Sequence, residues 1–177
     1  MPDKENITRQ HPDDLIGEIK SLIEQGWSQA VAAVNSALTV TYWHVGRRIN
    51  EELLQGKRAE YGKKVIEQIA EILVLDYGRG FEAKNLRRMM KFAGLFPDFE
   101  IVAPLVRQLS WSHFLILIPL KSDEARSFYV RQAVEAGWSK RELQKQIERK
   151  AFERAEIADT KLALADGGTQ ALGGRPQ

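Results

Sequence analysis

From Ser28 onward, Val31, Val34, Leu38, Tyr42, Val45, Ile49 and Leu53 recur every three or four residues. A strand cannot gather such a set on one side, because its side chains alternate faces; a helix of 3.6 residues per turn can. The spacing predicts one long amphipathic helix starting at Ser28 and ending near Gly56. An apolar side of that length has to be covered, either by the rest of the chain or by a partner. No other feature constrains the fold as strongly.

The neighbouring segments follow the same period. Asp13 or Asp14 can cap a short helix carrying Leu15, Ile19, Leu22 and Ile23, with Gly26 as its stop. Tyr61-Gly62 opens a helix that buries Val65, Ile66, Ile69, Ile72 and Leu73, and Tyr77-Gly78-Arg79-Gly80 breaks it, since paired glycines favour a left-handed turn. The next helix spans residues 82–96 and stops before Pro97. A loop with Pro104 then leads into LSWSHFLILI, a short apolar helix closed by Pro119. Ser122 caps a helix from Asp123 to Ala136, Gly137 ends it, and a last helix runs from Lys140 to about Ile157. No segment alternates as a strand does, so the expected class is all-α, with about six to seven helices and helix-turn-helix-like corners. The expected organisation is a disordered N-terminus over residues 1–12, a helical domain over 13–160 and a flexible glycine-rich tail over 161–177.

Composition narrows the setting. The absence of cysteine excludes disulfides and thiolate metal sites and fits a reducing cytoplasm. No apolar run approaches the roughly 20 residues that span a bilayer, so no membrane partner is expected. The polar opening MPDKENITRQHPDD is not a signal peptide. A net charge of +2 is too small to hold nucleic acid by itself, so any such function depends on local charge.

Glycine-plus-aromatic precedes a helical stretch at GWS (Gly26), GFEAKNL (Gly80) and GWSKREL (Gly137). In the last, Ser139 and Glu142 have capping-box spacing, Trp138 and Leu143 have staple spacing, and Gly137 can take the left-handed end of the helix before. In GFEAKNL, Phe81 and Leu86 keep the staple and Glu82 is a poorer cap; at Gly26 the match decays, with Ala32 where leucine should stand. These are corner-forming devices first.

The corner at Gly80 carries something more. Lys84, Arg87, Arg88 and Lys91 share one helical face, opposite Leu86, Met89, Met90, Ala93 and Phe96, and Arg79 precedes them. A basic face on the second helix of such a corner is what contact with the phosphates and base edges of double-stranded DNA requires. Lys140, Arg141 and Lys145 form a secondary set, offset by glutamates that should pair within the helix. No catalytic, metal or cofactor site is expected. His11, His44 and His113 are far apart without carboxylate companions, and His113 reads as a core hydrogen-bonding residue beside Trp111. GRGF lacks the context of a dinucleotide site, Glu51-Glu52 lacks a companion motif, and Tyr42-Trp43 and Phe128-Tyr129 read as core.

Asn35, Tyr42-Trp43, Gly46, Ile49, Tyr61-Gly62, Gly80-Phe81, Asn85-Leu86, Met89, Phe92 and Phe96-Pro97 resemble the N-terminal domain of bacterial YhcG-like proteins. The resemblance continues through LSWSH (Leu109 to His113), Arg126, Phe128-Tyr129 and GWS-x-REL with Gln146-Ile147, so it covers roughly residues 28–155. It implies a helical module that precedes a PD-(D/E)xK nuclease domain in longer members, in proteins suspected of DNA processing or defence. Where that domain would begin, this chain reads DGGTQALGGRPQ, so nuclease activity is not expected of it. A non-catalytic DNA-binding module, working with a separately encoded nuclease, is the first expectation. A protein-interaction module, such as a homodimer formed through the long helix, is the alternative.

Overall fold

The computed structural model describes residues 12–54 and 59–169. The expected disordered segment 1–12 falls outside them except for Pro12, and so do residues 170–177 of the expected tail. Eight α-helices follow one another: α1 (Pro12–Leu54), α2 (Ala59–Tyr77), α3 (Ala83–Leu95), α4 (Phe99–Leu105), α5 (Trp111–Leu117), α6 (Asp123–Ala136), α7 (Lys140–Glu148) and α8 (Ala151–Thr169). A single 3-10 turn, Arg79–Phe81, joins α2 to α3, and no strand occurs among the described residues. The class is all-α, with one helix more than the upper expectation.

Four boundaries differ from the sequence reading. Gly26 does not stop a helix; α1 runs through it for 43 residues. Glycine costs about 1 kcal/mol in a helix interior but forbids nothing there, and only Gly78 and Gly137 take a positive φ among the described glycines. Pro104 lies inside α4 rather than in a loop; Asp98 caps that helix by accepting the Glu100 N–H at 2.9 Å. The stretch from Lys140 is two helices, because Lys150 adopts a left-handed φ of 54° that ends α7 and starts α8. And α8 continues to Thr169, past Ile157.

The other corners form as read. Gly78 (φ 94°) closes α2, and its N–H reaches the Val74 carbonyl at 2.9 Å. Ser122 accepts the Ala125 N–H (3.1 Å), Gly137 (φ 62°) ends α6, and Ser139 accepts the Glu142 N–H (3.2 Å). Glu142 does not complete the box; its carboxylate accepts from Gln146 instead, at 2.6 Å.

Packing turns on the C-terminal half of α1, which crosses α3. The buried seam is Thr39, Trp43, Gly46 and Ile49, while Val31, Val34 and Leu38 of the expected stripe stay exposed. The crossing is so tight that a Cβ on Gly46 would fall 1.9 Å from the Met89 carbonyl oxygen. Polar side chains at seven-residue intervals fix the register. Ser36 donates to the Val106 carbonyl (2.7 Å), the Trp43 indole N–H to Phe96 (2.7 Å) and Asn50 to Met90 (2.8 Å). The Val106 and Phe96 carbonyls lie at helix C-caps, where no helical partner exists, and Asn50 adds a second donor to the Met90 carbonyl within α3.

Two apolar clusters meet across this crossing. Ile49, Ile66, Ala70, Leu86 and Met89 join α1, α2 and α3. Trp43, Phe92, Phe114, Leu117, Tyr129 and Leu143 join α1 and α3 to the second half of the chain. Trp43 and Tyr129 are core residues as read, and the Tyr129 hydroxyl also accepts the Phe152 N–H at the start of α8 (3.2 Å). Ile72, expected inside, is exposed.

Replacing Gly46 by alanine should lower stability by about 1–3 kcal/mol, since the new methyl has to push helix backbone aside. In an open helix the same change gains up to about 1 kcal/mol. Gly17→Ala, where the added carbon meets nothing within 4 Å, serves as the control and should not lower the urea midpoint. Tryptophan fluorescence during urea unfolding reads both.

Candidate nucleic-acid interface

The Gly78 corner and the packing of α3 decide where the basic residues stand. Leu86, Met89, Phe92 and Ala93 bury one side of α3 against α1 and α2, so the opposite side faces water. There Lys84, Arg87 and Lys91 are exposed, with Arg79 exposed on the turn before them. Arg88 differs: it is half-buried, and its guanidinium donates to the Asn85 side-chain oxygen at 3.1 Å. Asn85 in turn donates to the Arg79 carbonyl at 3.4 Å, linking turn and helix. The sequence places Asn85 among the family-like residues, but nothing in its spacing discloses this tether.

The electrostatics of α3 run against its own stability. From Ala83 to Leu95 it contains no carboxylate, and none of Lys84, Arg87 and Lys91 has an ion-pair partner within 4 Å among the described residues. Arg47 and Arg48 on α1 are neutralised by Glu51 (2.9 Å) and Glu52 (3.0 Å), which also gives those two glutamates a structural role. The positive end of a helix dipole lies at its N-terminus, where acidic residues are favourable and cations cost a few tenths of a kcal/mol. On α3 Lys84, Arg87 and Arg88 crowd that end, and Glu82 makes no side-chain cap. Dipole and side chains therefore add to one positive field.

Lys140, Arg141 and Lys145 are exposed on α7. The expected pairing with glutamates does not occur there, because Glu142 and Glu148 accept from Gln146 (2.6 Å) and Gln144 (3.2 Å). The other sites considered have structural duties. His113 is buried and bridges two segments: its Nδ1 accepts the Ser110 N–H (3.1 Å) and its Nε2 lies 2.8 Å from the Trp138 carbonyl. An imidazole accepting at Nδ1 carries its proton on Nε2, which therefore donates to Trp138. Buried Arg126 donates to the Leu117 carbonyl (3.2 Å), to the Leu120 carbonyl and to Asp123. It borders a groove of about 650 Å³ between α4 and α6, so its charge is already committed to main chain. Among the described residues no three His, Asp or Glu side chains converge as a metal site, and no helix is long and apolar enough to cross a membrane.

The profile of the DUF1016 N-terminal domain matches residues 18–154. The chain belongs to that family. It is 32% identical, over 173 aligned positions, to the Escherichia coli (strain K12) protein named "Putative nuclease YhcG". The alignment takes in 81% of this chain and 46% of that protein, so the chain spans about half the length of the relative it matches, its N-terminal part. No solved structure matches the chain. Within this DUF1016 domain the family-like motifs acquire a physical reason. LSWSH and GWS lie apart in sequence, and the His113 bridge joins them, while Gly46, Trp43 and Met89 meet at the α1–α3 crossing.

Because they support no other group, Lys84→Ala, Arg87→Ala and Lys91→Ala should each change stability by less than about 0.5 kcal/mol. His113→Ala empties a buried site and leaves the part-buried Ser110 N–H and Trp138 carbonyl without their partner, and should cost about 1–3 kcal/mol. Urea unfolding of the four variants separates the two groups.

Proposed function

We propose that this DUF1016 domain is the DNA-binding, targeting part of a YhcG-like nuclease system and holds double-stranded DNA on the basic face of α3. The supporting observation is the carboxylate-free, unpaired set Lys84, Arg87 and Lys91 on the exposed face of α3, with Lys84 in the first turn at the positive end of the helix dipole. Charges placed at a cost to the helix are useful when a polyanion is brought to them, where each neutralised phosphate releases bound counterions. Arg79 extends the face along the turn, and Arg88, held by Asn85, adds to the field from behind it. Arg87 can grip a phosphate or a guanine edge with two parallel hydrogen bonds, whereas Lys84 and Lys91 offer point contacts. Lys140, Arg141 and Lys145 are the secondary contacts, exposed and unpaired on α7. The module performs no chemistry of its own in this reading; cleavage belongs to a nuclease domain in the same system, in the cytoplasm.

Fluorescence anisotropy with a short labelled duplex tests the proposal. Affinity should fall with salt at a log–log slope near −3, about −0.9 for each of three phosphates. Arg87→Glu combined with Lys91→Glu should reduce affinity at least tenfold and flatten that slope. Unchanged affinity in this variant would sink the proposal, because the same change leaves the core untouched.

A further inference from the structure

The basic face does not account for the N-terminal half of α1. Every residue from Leu15 to Asn35 is exposed, so this arm, roughly 32 Å long, is buried against no other element among the described residues. Helices are held mainly by packing of an apolar side rather than by intrinsic propensity, and this one carries Gly17 and Gly26 as well. Nine large apolar side chains between Leu15 and Leu38 are at least 45% exposed, which puts on the order of 900 Å² of apolar surface in water. A monomer's largest apolar patch is usually about 300–600 Å², and a stable interface hides about 800 Å² per partner.

The order of these side chains identifies the partner. Apolar residues on one side of the arm stand at equal distances on either side of the Gly26–Trp27 bond: Ile19 and Val34, and Ile16 and Ala37, with Leu22 and Val31, two and a half turns apart, on the two edges of that side. Ile23 is mirrored by a small residue, Ala30, and Gly26 by Trp27. A two-fold axis between positions 26 and 27 therefore sets each of these seam-facing residues against an apolar one. It also sets Trp27, 71% exposed, against a glycine whose missing side chain leaves nothing within 4 Å. The same operation places Glu18 opposite Asn35, Glu24 opposite Gln29 and Lys20 opposite Ala33, so no like charges oppose each other. A parallel pairing along the same side would instead set Trp27 against Trp27 and Gly26 against Gly26.

We propose that the arm's occupant is a second copy of this chain, its α1 running antiparallel across a two-fold axis at Gly26–Trp27. This is an isologous contact, self-complementary about one point, and it keeps the two packed bodies at opposite ends of the paired arms. It is independent of the DNA reading, since Lys84, Arg87 and Lys91 lie on another helix.

Sedimentation equilibrium of the full chain should give a dimer at micromolar concentration. Ile19→Glu with Val34→Glu should weaken it at least 100-fold and leave the urea midpoint of the packed domain in place. The chain has no cysteine, which allows an orientation test. Chains carrying Ile23→Cys mixed with chains carrying Ala30→Cys should form the mixed disulfide in preference to either symmetric one. A monomer at every concentration up to about 100 µM overturns the proposal. So does a dimer that survives both glutamates, or preferred coupling of Cys at 23 with its own copy.

Discussion

The fold depends on one close approach, that of α1 to α3 at Gly46. Because position 46 has no side chain, the Met89 carbonyl comes within reach of the α1 backbone, and Ile49 and Trp43 are drawn into the two apolar clusters on either side. Ser36, Trp43 and Asn50 then hold the register by donating to the main-chain carbonyls of Val106, Phe96 and Met90. The crossing also orients α3. With Leu86, Met89 and Phe92 committed inward, the geometry of a 3.6-residue helix leaves Lys84, Arg87 and Lys91 no direction but outward.

Charge is used in two ways in this molecule. Arg126 is buried and held by two carbonyls and Asp123, a site where its planar fork serves packing rather than recognition. Arg47 and Arg48 are exposed but matched by glutamates one turn on, pairs worth a few tenths of a kcal/mol at most. Lys84, Arg87 and Lys91 of α3 belong to neither class, being exposed and unmatched on one face of a helix with no carboxylate. That contrast within one chain is why the DNA reading is attached to α3 and not to basic residues in general.

Much of this was legible in residue order. The 3.6-residue period, Ser122 and Ser139 as caps, Gly78 and Gly137 as left-handed ends, and the basic face of α3 are all local properties, and each appears where the spacing puts it. The misreadings share a cause. Gly26 is a weak helix breaker, Pro104 is a strong one that falls in the last turn of a seven-residue helix and costs it a single hydrogen bond, and Lys150 takes a conformation that its residue type rarely adopts. Val31, Val34 and Leu38 share a period with Ile49 and Leu53, but a period does not say what lies against it, and here the packed body ends near Ser36. Asn85 and His113 were visible as residues and invisible as links, because their partners are set by turns and by segments far along the chain.

By itself, then, the sequence determined the helical class, most helix ends and the clustering of positive charge on one face, because these follow from backbone propensity and spacing over a few residues. Only the tertiary structure decided which side of α1 is buried, that Arg88 sits inward while Arg87 does not, and that the first half of α1 stands alone. Those outcomes depend on where α3 can approach closely enough, and that is set by one missing side chain at Gly46 and the carbonyl it admits.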